Sequence, residues 1–126
     1  MRLDYIKNTN EYGDDMIRLY EFNLLESIKF KQFVQDFLDS GENQINLIKA
    51  DFIEPRNCTL IFCISEEDEG IVSTDGINFS CNLTRNAYLR MITLLEPFCK
   101  RETSGYQFLY DIDSPTDFLF SPAGSW

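Results

Sequence analysis

Carboxylates are the side chains in this sequence that could do chemistry, because histidine is absent. The chain carries 21 Asp and Glu against 11 Lys and Arg, and its formal net charge is −10. Histidine is the side chain whose ordinary pKa suits proton transfer near neutral pH. Its absence excludes Ser-His-Asp triads, Cys-His nucleophiles and sites in which histidine binds a metal. We therefore expect a protein that is not an enzyme.

Two acidic segments are candidates for contacting a partner. Residues 66–69 read Glu-Glu-Asp-Glu, and residues 111–117 begin like a calcium-binding loop. Thr116 stands where that loop needs glycine and Pro122 where it needs its closing glutamate, so calcium is not expected. A solubilising loop and a solvated turn are the simpler interpretations of these segments. The functional interpretation is a surface whose negative charge steers a basic partner protein.

The C-terminal Trp126 is a further candidate, since tryptophan is favoured in interfaces. We expect its side chain to tuck back onto the sheet rather than to anchor another chain. The complete set of predicted partner-binding residues is Glu66, Glu67, Asp68, Glu69, Asp111, Asp113, Asp117 and Trp126.

The four cysteines lack the spacing of a metal site. They are Cys58, Cys63, Cys81 and Cys99. Zinc sites built from cysteine use close pairs, which this sequence does not offer. Cys63 and Cys81 fall within predicted strands, where thiols are usually small, inert apolar side chains. We predict free thiols, no metal and no cofactor.

Charge and hydropathy disfavour nucleic acids and membranes as partners. The basic residues are scattered singly, and the closest pair is Lys100 and Arg101, whereas binding to phosphates needs clustered cations. The longest uncharged apolar stretch, residues 60–64, is far too short to span a bilayer. Residues 1–15 lack the basic and apolar regions of a signal peptide. We predict a cytoplasmic protein.

Alternation and capping residues predict the elements of the first half. Residues 16–22 alternate as a strand does. Asn23 and Glu26 have the spacing of a helix capping box, and Ser40-Gly41 supplies the stop of that helix. Residues 45–50 are a second strand candidate. Residues 1–15 are interpreted as a polar arm or an edge strand, and residues 16–126 as one domain of a 126-residue chain.

The second half predicts a central strand, a hairpin and a second helix. Residues 58–65 are apolar on both faces, which is typical of a strand in the middle of a sheet. Asp75-Gly76 predicts a two-residue turn in which Thr74 faces Ile77 and Val72 faces Phe79. Thr84 is the expected cap of a helix that Pro97 should end or bend.

The order of these elements predicts the fold class. Residues 105–111 and 117–121 are interpreted as two closing strands. The complete order is β-α-β-β-β-β-α-β-β, which indicates an α+β fold with a largely antiparallel sheet and both helices packed on it.

Three segments of the chain resemble a group of small bacterial proteins. The segments are residues 17–22 (IRLYEF), the stretch from Leu83-Thr84 through a helix to residues 96–98 (EPF), and residues 105–109 (GYQFL) with 121–126 (SPAGSW). The resemblance spans residues 16–126 and implies an α+β fold. No activity is attached to these motifs.

The preferred functional interpretation is a non-catalytic, cytoplasmic domain that binds a protein. Homodimerisation through an exposed strand edge, or through the second face of the central strand, is left open. One alternative is an acidic immunity or inhibitor protein that neutralises a basic, nuclease-type toxin. A second alternative is a hydrolase without histidine, which would need a cleft that raises the pKa of paired carboxyl groups.

Overall fold

The chain folds into two mixed β-sheets and two α-helices, in a computed structural model that describes residues 1–7, 14–73 and 75–122. The predicted α+β class is confirmed. The elements of the described residues are β1 Arg2–Ile6, β2 Asp15–Tyr20, α1 Leu24–Ser40, β3 Gln44–Asn46, β4 Glu54–Pro55, β5 Thr59–Ile64, β6 Gly70–Val72, β7 Asn78–Leu83, α2 Arg85–Lys100, β8 Gln107–Phe108 and β9 Thr116–Ser121.

The strands pair in both directions, so the expected largely antiparallel sheet is wrong. One sheet has the order β4-β1-β2-β9-β8 and the other has the order β3-β5-β7-β6. The pairs β1–β4, β2–β9 and β5–β7 are parallel, and the remaining pairs are antiparallel. β6 lies at an edge and β7 lies between β6 and β5. β7, the longer of these two strands, thereby takes the interior position, where it runs parallel to β5.

Several strands differ in extent from the prediction. β1 and β4 are absent from the predicted order. β1 lies between β4 and β2, rather than at the sheet edge that one of the two interpretations of residues 1–15 gives it. The strand predicted at 45–50 ends at Asn46, because the Asn46 side chain accepts a hydrogen bond from the Ile48 amide at 3.1 Å and starts a 3₁₀ turn. The strand predicted at 105–111 is reduced to β8.

Capping residues define the helix ends as the sequence predicts. Asn23 accepts from the Glu26 amide at 2.9 Å, and the Glu26 carboxylate accepts from the Asn23 amide, which completes the capping box of α1. Gly41 ends α1 with φ 76°. Thr84 caps α2, and α2 continues through Pro97 to Lys100. Of the two effects predicted for Pro97, ending or bending the helix, the first is therefore wrong.

No helix in the described part of the chain is long and apolar enough to cross a membrane.

The turn between β6 and β7 is wider than the predicted hairpin. Val72 pairs with Ser80 rather than with Phe79, so the predicted register is wrong by one residue. Thr74, which was expected to face Ile77, lies outside the described residues. The Phe79 side chain is buried in the core.

Side chains close this turn in place of a two-residue backbone turn. The Asp75 carboxylate accepts hydrogen bonds from the amides of Ile77 at 2.9 Å and Asn78 at 2.8 Å. The Ser73 hydroxyl donates to the Asn78 carbonyl at 2.7 Å. The bonds from Asn78 hold the pKa of Asp75 well below its ordinary value. These bonds fix a longer loop and so shift the strand register.

Phe62 of β5 lies where both helices and both sheets meet. Its ring centroid is 6.3 Å from that of Phe30 and 6.5 Å from that of Phe37 on α1. It is 5.3 Å from Tyr88 on α2 and 6.1 Å from Phe118 on β9. One buried aromatic cluster therefore joins both helices and both sheets.

Candidate functional site

A groove separates α2 from the chain that leads from β8 to β9. Its inner part has a volume of about 100 Å³ and its outer part about 450 Å³, and both parts are lined by Arg90, Tyr110, Asp111 and Ile112. Asp68 adds to the inner part only, and Asp117 adds to the outer part only. We call this feature the α2 groove and define it by Asp68, Arg90, Tyr110, Asp111, Ile112 and Asp117.

The start of α2 positions one acidic wall of the α2 groove. The Asp68 carboxylate accepts a hydrogen bond from the Thr84 amide at 2.8 Å, and Thr84 in turn caps the helix by accepting from the Ala87 amide at 3.2 Å. Arg90 and Leu94 follow on the same face of α2, since residues four apart are neighbours on a helix. Asp68 is therefore tied to the helix that presents Arg90.

Tyr110 fixes the opposite wall. Its side chain is buried, and its hydroxyl donates to the Thr116 carbonyl and accepts from the Ile71 amide at 3.1 Å. Burial raises the pKa of Tyr110 well above its ordinary value, so the hydroxyl stays neutral near pH 7. Leu109 adds a backbone hydrogen bond from its amide to the Phe118 carbonyl at 2.8 Å. These bonds hold the wall next to β9 and β6.

The charged side chains of the α2 groove do not neutralise one another. Within the described residues, the side chains of Arg90, Asp111 and Asp117 make no hydrogen bond or ion pair of 4.0 Å or less. Asp111 is exposed, whereas Asp117 is half-buried. Burial raises the pKa of Asp117, and the negative charge of Asp14 raises it further. The groove thus offers two carboxylates and one guanidinium to an incoming ligand.

The structure brings together three of the eight predicted contact residues, namely Asp68, Asp111 and Asp117. Asp113 lies in the same loop as Asp111 but lines neither part of the groove. Trp126, with the prediction that it tucks back, lies outside the described residues. The loop between β5 and β6 exposes the remaining carboxylates to solvent, and these belong to Glu66, Glu67 and Glu69.

Sequence reasoning missed Arg90 and Tyr110 as members of a site. The sequence gives Arg90 no role, and Tyr110 is one residue within the strand predicted at 105–111. No local motif distinguishes either residue, because the groove exists only once α2 packs near the 109–112 chain. A long-range pairing would have been needed to find them.

The thiols lie where ionisation is disfavoured. Burial raises the pKa of Cys58 to about 12 and raises the pKa of Cys63, Cys81 and Cys99 above the ordinary value. All four cysteines are free. A thiolate is the reactive form of cysteine, so these positions are poorly suited to nucleophilic chemistry. Within the described residues, no three His, Cys, Asp or Glu side chains are grouped so that they could hold a metal ion.

The second face of β5 is polar around a small apolar centre. Ile61 and Cys63 are half-buried, whereas the alternate residues Leu60 and Phe62 are fully buried in the core. The strands on either side place polar residues next to this centre, and these are Gln44, Asn46, Ser80 and Asn82. The homodimer through this face stays a prediction.

A hollow of about 300 Å³ lies between β1 and the β6–β7 turn. It is lined in part by Tyr5 and Asp15, and the Tyr5 hydroxyl donates to the Asp15 carboxylate at 2.5 Å. Burial and this bond raise the pKa of Tyr5 to about 12. Because the tyrosine donor is already used, this hollow is less suited to a charged ligand than the α2 groove.

No family model, curated protein or solved structure matches this chain.

Proposed function

We propose that this protein is a non-catalytic domain that binds a protein partner by taking a basic side chain of that partner into the α2 groove. The observation that carries the proposal is the convergence of Asp68, Asp111 and Asp117. They come from three separate segments: the β5–β6 loop, the β8–β9 loop and β9 itself. Two of the three carboxylates have no hydrogen-bond partner within the described residues.

The groove has the chemistry that a lysine or arginine side chain requires. Such side chains lay an apolar stem along apolar surface while the charged end contacts polar groups. Leu94 and Ile112 offer apolar surface in the outer part of the groove, next to Asp111 and Asp117. A hydrogen bond between a cation and a carboxylate is stronger than a neutral one. The net charge of −10 would also steer a basic partner towards this surface.

The absence of histidine from the sequence and the raised pKa of the thiols support a function without catalysis. The free cysteines also fit our proposal that the protein acts in the cytoplasm.

The test is affinity capture from native cell extract, followed by titration of the captured partner against charge variants. We expect Asp111→Asn and Asp117→Asn each to weaken binding by roughly two- to fivefold, as expected for exposed ion pairs of ~0.2–1 kcal/mol. Asp113→Asn is the matched control, because it removes the same charge from the same loop outside the groove. High salt should weaken the binding of wild type. Equal effects of the three variants, or none, would contradict the proposal.

An inhibitor of a basic enzyme is a second candidate, and it is favoured by the exposed Glu66, Glu67 and Glu69. None of these three carboxylates forms a salt bridge within the described part of the chain. The same capture experiment tests this candidate. A basic nuclease that is released by salt, and whose activity stops at a one-to-one ratio, would support it. Loss of inhibition in a variant with all three glutamates changed to glutamine would locate the contact.

A hydrolase that uses paired carboxylates is a third candidate, and the raised pKa of Asp117 near Asp111 favours it. Such an enzyme should hydrolyse a chromogenic ester or glycoside, and Asp117→Asn should abolish turnover. Under our proposal the purified protein shows no turnover that depends on Asp117. Turnover that is present in wild type and lost in Asp117→Asn would contradict our proposal and support the hydrolase.

A further inference from the structure

We infer that the α2 groove recognises a protein segment that presents one basic and one acidic side chain together, with Arg90 binding the acidic one. This inference rests on the proposed function and specifies the chemistry of the partner. It adds a specificity-determining residue to a groove that was first defined by its carboxylates.

Arg90 is placed to contact any ligand in this groove. Its side chain lines both the inner and the outer part, as does Asp111. Asp68 lines only the inner part, and Asp117 lines only the outer part. Arg90 thus shares each part of the groove with two acidic residues.

The Arg90 guanidinium forms no ion pair with the neighbouring carboxylates in the described part of the chain. Elsewhere in the described residues, arginines do pair with acids: Arg18 binds Asp4 through two hydrogen bonds at 2.7 and 3.0 Å, and Arg56 binds Glu54 at 2.9 Å. Arg90 makes no such bond among the described residues, although acidic side chains line the same walls. Its donors therefore remain available for a carboxylate of the partner, which arginine can bind in a two-point geometry.

A ligand whose charges all have the same sign is repelled by part of the groove. A segment with only basic groups is attracted by the carboxylates and repelled by Arg90. A segment with only acidic groups is attracted by Arg90 but repelled by three carboxylates, so its net repulsion is larger. A segment with both signs satisfies both sets, and selection of this kind by attraction and repulsion together is a general source of specificity.

The test uses three capped peptides of equal length, which carry Lys with Glu, Lys with Gln, or Gln with Glu. Binding is measured by NMR titration of isotope-labelled protein, on wild type and on Arg90→Gln. We expect wild type to bind the Lys-Glu peptide most tightly. Arg90→Gln should weaken that peptide by about two- to fivefold, the range of an exposed ion pair. The same change should tighten the Lys-Gln peptide, so the two effects have opposite signs.

Arg101→Gln is the matched control, since it removes the same charge at the end of the same helix, outside the groove. At physiological ionic strength its effect on both peptides should be small, because charges separated by more than ~8 Å are largely screened. Arg90→Gln effects of the same sign on both peptides would overturn the inference, and so would binding of none of the peptides. If the Arg90→Gln effects have the same sign but Asp111→Asn abolishes binding of the Lys-Gln peptide, the proposed function still stands. If no peptide binds and affinity capture also yields no partner, the proposed function is contradicted as well.

Discussion

Tyr88 fixes α2 to the four-stranded sheet through one hydroxyl. This hydroxyl accepts from the Cys63 amide at 3.1 Å and contacts the Cys63 carbonyl at 3.0 Å and the Cys81 carbonyl at 2.6 Å. Cys63 and Cys81 belong to the parallel pair β5–β7. Because Tyr88 is fully buried, water cannot replace these bonds.

We expect Tyr88→Phe to lower the free energy of unfolding by about 1–3 kcal/mol, because buried backbone groups lose their partner. Denaturant unfolding followed by circular dichroism measures this. Thr93→Val is the control, since it removes an exposed hydroxyl from the same helix and should change stability by less than ~0.5 kcal/mol. Equal stability of wild type and Tyr88→Phe would show that the hydroxyl is not structurally important.

Residue type alone identified part of the candidate site. Asp68, Asp111 and Asp117 were selected from the sequence because acidic segments are visible without a structure. Their separation from Asp113, and the addition of Arg90, were not predictable. Both depend on how α2 packs near the chain between β8 and β9, which no local pattern encodes.

At the scale of elements, Gly70 and Gly41 differ in what surrounds them. Both have positive φ, 83° at Gly70 and 76° at Gly41. A β-carbon at Gly70 would lie 2.9 Å from Ser114 Oγ and 3.0 Å from Ile112 Cδ1, whereas one at Gly41 would meet no atom within 4 Å. β6 therefore begins against the chain that carries the α2 groove.

We expect Gly41→Ala to cost about 1–2 kcal/mol of stability, the penalty of a left-handed conformation alone. Gly70→Ala should cost more, because it adds a steric clash, and it should displace Ile112 in the groove. Thermal unfolding measures the stability difference, and the amide NMR shifts of residues 111–114, 116 and 117 report the displacement. A Gly70→Ala protein as stable as Gly41→Ala, with unchanged shifts in that loop, would contradict this.

Elements that depend on near neighbours in sequence were predictable, and those that depend on distant ones were not. The ends of α1 follow from Asn23, Glu26 and Gly41, which act within one turn of the helix. The parallel pairing of β2 with β9 joins segments close to opposite ends of the described residues. The β6–β7 register failed for a local reason, because the Asp75 side chain replaced backbone bonds that the Asp-Gly motif predicts.

At the scale of the whole molecule, excess negative charge acts against compactness. The net charge is −10, and the acidic side chains repel one another more strongly in the folded state than in an expanded chain, because they lie closer together. The described residues contain few compensating contacts, such as the half-buried pair of Arg18 with Asp4. Salt screens repulsion between exposed charges.

We therefore expect the free energy of unfolding at pH 7 to rise as sodium chloride is increased from low concentration. The urea midpoint at several salt concentrations measures this change. Lys29→Glu and Lys49→Glu, which make the charge more negative, should steepen the dependence. A midpoint that falls with salt would mean that attractive ion pairs, rather than repulsion, dominate the electrostatic contribution to stability.

The parallel neighbours β2 and β9 also determine when the protein can fold. A ribosome makes residues 15–20 about one hundred residues before residues 116–121, so Ile17 and Leu19 lack their neighbours Phe118 and Phe120 while the intervening chain is made. Contacts between such distant segments slow folding, because a long loop must close before they form. The nascent chain thus carries an open, apolar strand edge until β9 has been made, and this is the stage at which a chaperone would be most useful to it.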